Sequence, residues 1–62
     1  MIAYGYEVKG WKEALADVQR NLDNPGCRIN WNLFKTGDTY YDGNGNGYEV
    51  TVDHEAKTVI LD

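Results

Sequence analysis

Residues 2–26, IAYGYEVKGWKEALADVQRNLDNPG, pass from a strand pattern to a helix pattern and so decide the fold. From Ile2 to Val8 every second residue is apolar, and this period of two predicts a half-buried strand at the start of the chain. Gly10 is expected to end the strand and to serve as the N-cap of the helix. The apolar residues that follow share one helical stripe, which is expected to form part of the core. They are Trp11, Ala14, Leu15, Val18 and Leu22, whereas Lys12, Glu13, Asp17, Gln19 and Arg20 are expected on the opposite, solvated side.

The helix is expected to end at Asn24-Pro25, because a residue before proline avoids the α region and proline has no N–H to donate. Four further strand-like segments follow, at residues 28–34, 39–41, 48–53 and 58–61. The predicted fold class is therefore α+β in the order β-α-β-β-β-β, as one compact domain over residues 1–62. One amphipathic helix would pack on a mainly antiparallel sheet of four or five strands. The first strand is expected beside the second or beside another strand of the sheet.

Charge is concentrated in the second part of the chain. Residues 1–35 carry five basic and four acidic side chains, whereas residues 36–62 carry six carboxylates against Lys57 alone. An acidic surface repels phosphate groups and anionic lipids, so direct binding of nucleic acid or membrane is not expected. A protein partner with a basic surface is the electrostatic complement. The alternative is that the acidic residues only keep a small domain soluble.

The residues that support catalysis or metal binding are few. The chain has no serine, and the spacing of its single cysteine, Cys27, and single histidine, His54, does not predict contact between them. Two such side chains are also too few for a zinc site, which takes three or four ligands. We therefore expect a non-enzyme without cofactors. The lone cysteine and the lack of a signal-peptide or membrane-spanning pattern favour a cytoplasmic location.

The glycine-rich segment, residues 42–47, supports two interpretations. Alternate oxygen-bearing residues match part of a calcium loop. The candidate ligands are Asp42, Asn44, Asn46, Tyr48 and Asp53, and Gly47 matches the glycine at the sixth position. Over these twelve positions the segment resembles the loops of EF-hand and dockerin-like calcium binders, although its flanks are strand-like and Asp53 stands where that family has a bidentate glutamate. The other interpretation is a hairpin loop, in which Asn and Gly adopt the positive φ angles of the turn.

Surface recognition is the function that the composition favours. Tyr40 and Tyr41 are adjacent, so in a strand they point to opposite faces, and one of them is expected to be exposed. Exposed aromatics rimmed by acids are typical of a protein-binding surface. The alternative is that Phe34 and one of the tyrosines pack inside. The predicted partner-binding residues are Asp38, Tyr40, Tyr41, Asp42, Glu49, Asp53 and Glu55.

In size, acidity and lack of catalytic residues the chain is similar to small phage-encoded inhibitors, including anti-CRISPR proteins. This resemblance implies a viral protein that occludes a basic surface, with carboxylates in place of the phosphates of a nucleic acid. Two alternatives are a calcium-binding module at residues 42–53 and a domain that pairs with a copy of itself through an edge strand at residues 2–9 or 57–61. The expected state is a monomer or a weak homodimer.

Overall fold

The computed structural model describes residues 1–62 and contains five strands, one α-helix and one short 3-10 helix. The elements in chain order are β1 (Ile2–Ala3), β2 (Tyr6–Gly10), α1 (Lys12–Asp23), the 3-10 helix (Trp31–Leu33), β3 (Thr39–Tyr41), β4 (Gly47–Asp53) and β5 (Thr58–Leu61). The strands form one sheet in the order β1-β2-β5-β4-β3. This arrangement confirms the α+β class, with one helix on a five-stranded sheet.

The sheet is mixed, because β2 and β5 are parallel while the other three pairs are antiparallel. The first long strand therefore lies beside the last strand, with the helix following it directly. Trp11 N–H donates to the Leu61 carbonyl at 3.1 Å, which ties the start of the helix to the end of β5. The helix is too short and too polar to cross a membrane.

The single strand predicted over residues 2–8 is two strands. Tyr4 and Gly5 have φ angles of 52° and 84°, and they form a two-residue turn that pairs Ala3 with Tyr6. Positive φ at both central residues is the geometry of a tight hairpin. Because of this turn, the side chains before it alternate in the opposite sense to the predicted strand. Ala3 is therefore buried and Ile2 is 67% exposed.

The strand predicted at residues 28–34 is wrong. Asn30 Oδ1 accepts from the Asn32 N–H at 3.2 Å and caps the 3-10 helix that forms there. This local bond gives the backbone an alternative to a strand ladder. Trp31 is nevertheless in the core, at 1% exposure, while Leu33 is 76% exposed.

The helix begins at Lys12 with Trp11 as its N-cap residue, so the prediction of Gly10 as the cap was wrong. Gly10 belongs to β2 and is paired with Leu61. Its φ of 137° and a Cβ position only 2.0 Å from the Leu61 carbonyl oxygen require glycine. The helix ends at Asp23, before Asn24-Pro25, as predicted.

The core lies between the helix and one face of the sheet. Its buried apolar residues are Ala3, Tyr6, Val8, Ala14, Val18, Ile29, Trp31, Tyr40, Tyr48, Val50, Val59 and Leu61. Three predictions for the helix were wrong: Trp11 is 57% exposed at the helix start, Leu22 is 37% exposed in the last turn, and Asp17 is buried at 7%. Phe34 is half-buried and packs on Trp31 and Tyr40, with ring centroids 5.2 and 6.4 Å away.

The other face of the sheet is not covered by the helix, and we call it the open sheet face. It is formed by side chains that alternate with the core residues along each strand. They are Ile2, Glu7, Lys9, Thr39, Tyr41, Glu49, Thr51, Asp53, Thr58 and Ile60. The sheet edges are the short strands β1 and β3, so the prediction of a free edge at residues 57–61 was wrong, because β5 is hydrogen-bonded on both sides.

Candidate protein-binding surface

The glycine-rich loop is organised by the carboxylate of Asp42, which is 8% exposed. Oδ1 accepts from the backbone N–H groups of Asn44 and Asn46, each at 2.9 Å. Oδ2 accepts from the Asn46 side-chain amide at 3.1 Å and from the Tyr48 hydroxyl at 2.9 Å. Burial alone would raise the pKa of Asp42, but these hydrogen bonds outweigh it and lower the pKa to about 2.

A second buried carboxylate, that of Asp17 on the helix, fastens the loop to the fold. Its Oδ1 accepts from the Gly43 N–H at 3.1 Å and from Arg20 at 2.9 Å, and its Oδ2 accepts from the Tyr40 hydroxyl at 2.5 Å. Burial, together with the bond to Asp17, raises the pKa of Tyr40. The loop is thus held from two sides by carboxylates that serve as hydrogen-bond acceptors.

Hydrogen bonds within the protein occupy several of the atoms that the calcium interpretation would use as ligands. Both oxygens of Asp42 are engaged by protein donors, and Asp53 lies at the far end of β4, where its Oδ1 accepts from Glu55 N–H and Ala56 N–H at 3.0 and 3.1 Å. No three His, Cys, Asp or Glu side chains in the chain converge to hold a metal ion. The positive φ of Gly45, 84°, is the hairpin feature that the sequence predicted as the alternative.

The seven predicted partner-binding residues divide into three groups. Tyr40 and Asp42 are buried at 6% and 8%, so their side chains contribute little to any outer surface. Asp38 and Glu55 lie in turns, where Asp38 Oδ2 accepts from the Lys35 N–H at 2.8 Å. Tyr41, Glu49 and Asp53 remain, and strand pairing brings them onto the open sheet face.

Tyr41 is the one aromatic side chain among the residues of the open sheet face and is 68% exposed. Its cross-strand partner is Gly47, and the ring leaves only 3.2 Å between its Cε1 atom and the position of a Cβ at Gly47. Because glycine has no side chain, the Tyr41 ring can lie against the sheet at this position, in the way aromatic side chains cover strand glycines. Glu49 is the next residue on the same side of β4, opposite Thr39.

Of the three carboxylates on the open sheet face, only Glu7 has an ionic partner. The chain holds two ion pairs, one between Arg20 and Asp17 and one between the Met1 amino group and Glu7. Glu49 and Asp53 take part in neither, and Lys9 is the only cationic side chain among the residues of this face. Unpaired carboxylates beside an exposed aromatic ring provide both attraction for cations and apolar contact area.

A groove of about 410 Å³ lies at the end of the sheet where the helix begins. Six residues line it: Trp11, Glu13, Asn46, Gly47, Tyr48 and Asp62. Sequence reasoning missed this groove, because Trp11 fits the apolar helix stripe and was assigned to the core. The sequence feature that could have revealed the groove is the position of Trp11. This residue directly follows Gly10 and precedes the first turn of the helix, so the helix does not bury it.

The histidine and the cysteine have no shared site. The Tyr6 hydroxyl lies 2.7 Å from His54 Nδ1, and His54 Nε2 donates to the Phe34 carbonyl at 2.9 Å, since a carbonyl oxygen only accepts. His54 thereby connects the β4–β5 turn to the segment around Phe34. Cys27 is exposed and forms no disulfide.

Comparisons of the chain with protein-family models, with curated proteins and with solved structures found no match.

Proposed function

We propose that this chain is a small, acidic, non-catalytic binding domain that occludes a basic surface of a partner protein through its open sheet face. The observation that carries the proposal is the combination of Tyr41, 68% exposed, with the carboxylate of Glu49, which is in no ion pair. An exposed aromatic residue contributes contact area, and a neighbouring free carboxylate directs it toward arginine and lysine.

Further support comes from the form of the surface. The core and the hydrogen-bonded ladders hold the strands, so the backbone beneath the open sheet face needs no ordering when a partner binds. Ile60, 40% exposed, lies on the central strand β5 between Lys9 and Thr51 and adds an apolar contact beside the carboxylates of β4. The formal net charge of −4 would accelerate encounter with a basic partner at low salt.

Such a domain would act as an inhibitor if the partner used its basic surface to bind nucleic acid. Carboxylates would then take the positions of phosphates, which is the mode implied by the similarity in bulk properties to small phage inhibitors. This function requires no cofactor, and it requires the face and not merely the overall charge to carry the interaction.

Two matched double variants test that requirement. The face variant, Tyr41→Ser with Glu49→Gln, removes one exposed aromatic and one free carboxylate from the open sheet face. The control, Leu33→Ser with Asp23→Asn, removes one exposed apolar side chain and one carboxylate elsewhere, since Leu33 is 76% exposed and Asp23 lies at the end of the helix.

The measurement is the affinity for a fluorescent nona-arginine peptide at several salt concentrations. We expect the face variant to lose about tenfold in affinity and the control less than about twofold, because surface ion pairs contribute up to about 1 kcal/mol each and the aromatic contact adds to this. Equal losses in the two variants would show that only net charge matters and would contradict the proposal.

A further inference from the structure

The groove beside the helix start combines an aromatic ring with carboxylates. Trp11 is 57% exposed, and Glu13 and Asp62 line the groove together with it. Neither carboxylate is in an ion pair. Tryptophan is the best aromatic partner for a cation, and an arginine guanidinium also stacks on its plane while pairing with a carboxylate.

We propose that this groove is a binding site for one arginine side chain, held between the Trp11 indole and the Glu13 carboxylate. The groove is shallow and open, which suits one side chain of a protein partner better than an enclosed small molecule. The inference deepens the proposed function and rests on it, because the arginine would belong to the basic partner.

The groove is continuous with the open sheet face. Gly47 lines the groove and is the cross-strand partner of Tyr41, and Asp62 exchanges backbone hydrogen bonds with Glu49 at 2.8 and 2.9 Å. A basic partner lying on the open sheet face would therefore reach the groove with a neighbouring side chain. The two surfaces form one extended acidic region around the end of β4.

Glu13 has a particular role in this site. It lies in the first turn of the helix, where the free N–H groups give the helix a partial positive charge that opposes a cation. The carboxylate offsets that charge and leaves the groove attractive to a guanidinium. Replacing Glu13 should therefore weaken arginine binding more than replacing a carboxylate at the other end of the helix.

The test uses N-acetylarginine N-methylamide, which carries one guanidinium and no other charge, and follows the indole N–H signals by NMR. Trp31, 1% exposed, provides an internal reference. We expect a saturable shift of the Trp11 signal with a dissociation constant on the order of 10 mM and no shift of Trp31. N-acetylglutamine N-methylamide, the uncharged analogue of the probe, should give no saturable shift.

Two variants locate the site. Glu13→Gln should weaken binding about threefold, whereas Asp23→Asn, an equal change of charge in the last turn of the helix, should leave it unchanged. The probe should also shift the backbone amide signals of Gly47 and Tyr48, which line the groove, and Trp11→Leu, which replaces a largely exposed side chain, should abolish these shifts. Equal effects of Glu13→Gln and Asp23→Asn, or movement of neither indole signal, would overturn the inference.

The two proposals fail separately. If the arginine probe leaves Trp11 unchanged while nona-arginine binding still depends on Tyr41 and Glu49, the groove inference is overturned and the proposed function stands. If the probe saturates the groove while nona-arginine binding ignores the open sheet face, the groove inference is supported and the proposed function is overturned.

Discussion

The carboxylate of Asp17 accepts the hydroxyl hydrogen of Tyr40 across 2.5 Å, in the buried space between the helix and the edge strand β3. The same carboxylate accepts the N–H of Gly43. One helical side chain thus fixes both the strand that carries Tyr41 and the loop that follows it. This contact lies on the core side of the sheet, and it supports the position of Tyr41 on the open sheet face.

Replacing Asp17 with alanine should therefore destabilise the fold strongly. The Tyr40 hydroxyl and the Gly43 N–H would lose their acceptor, and an unsatisfied buried donor costs about 1 to 3 kcal/mol. We expect a loss of about 2 to 4 kcal/mol in the free energy of unfolding, measured by urea denaturation. Asp23→Ala removes an exposed carboxylate from the same helix and should change stability by less than about 0.5 kcal/mol. Similar losses in both variants would contradict the role of Asp17.

The stability contributed by Asp42 should disappear in acid. Its pKa is about 2 in the folded protein against an ordinary 3.8, so the folded state favours the ionised form. The contribution is complete above the ordinary pKa and is lost as pH falls from 3.8 toward 2. The difference in unfolding free energy between the wild type and Asp42→Asn should be constant above about pH 5 and decrease below it. A difference independent of pH down to 2 would contradict this account.

Gly10 should tolerate no side chain. Its Cβ would lie 2.0 Å from the Leu61 carbonyl oxygen, where β2 and β5 are paired. Gly10→Ala should cost more than about 2 kcal/mol of unfolding free energy, because the strands must separate to accommodate the methyl group. Gly26→Ala is the matched control, since its nearest neighbouring atom would be 3.5 Å away and its φ is not positive. Thermal denaturation of both variants decides the point.

Calcium should not stabilise the protein. The two oxygens of Asp42 already accept four hydrogen bonds, and calcium would have to replace these donors. We expect the melting temperature to be the same with 5 mM calcium chloride or with a chelator, within about 1 °C. A rise that disappears in Asp42→Ala would instead establish the calcium module that the loop pattern also suggested.

The sequence predicts the α+β class, the end of the helix at Asn24-Pro25 and four of the strand regions, because periodicity and proline act locally. The errors arise where one hydrogen bond or turn overrides a pattern. The Tyr4-Gly5 turn lies within an unbroken alternation, and Asn30 caps a 3-10 helix inside another. Asp17 appears solvated in the helix pattern, and only Tyr40 and Gly43, distant in the chain, give it a reason to be buried.

For the candidate surface, too, local patterns predict correctly and long-range contacts are missed. The adjacent tyrosines correctly require that one be exposed, since successive side chains alternate across a strand. Which one is exposed follows from the pairing of Tyr40 with Tyr48 above the helix, a long-range contact that the sequence does not encode locally. The sequence predicts Asp42 on the surface, as is usual for an aspartate. Its carboxylate is instead buried, because it accepts hydrogen bonds from donors in its own loop.

The most direct test of the central claim is an NMR titration of the methyl groups with nona-arginine. Thr51 and Ile60 carry methyl groups on the open sheet face, whereas Ala16 carries an exposed methyl group on the outer side of the helix. The account predicts saturable shifts for Thr51 and Ile60 and none for Ala16. Shifts of Ala16 equal to those of Thr51 and Ile60 would contradict it, because the peptide would then be following charge over the whole molecule.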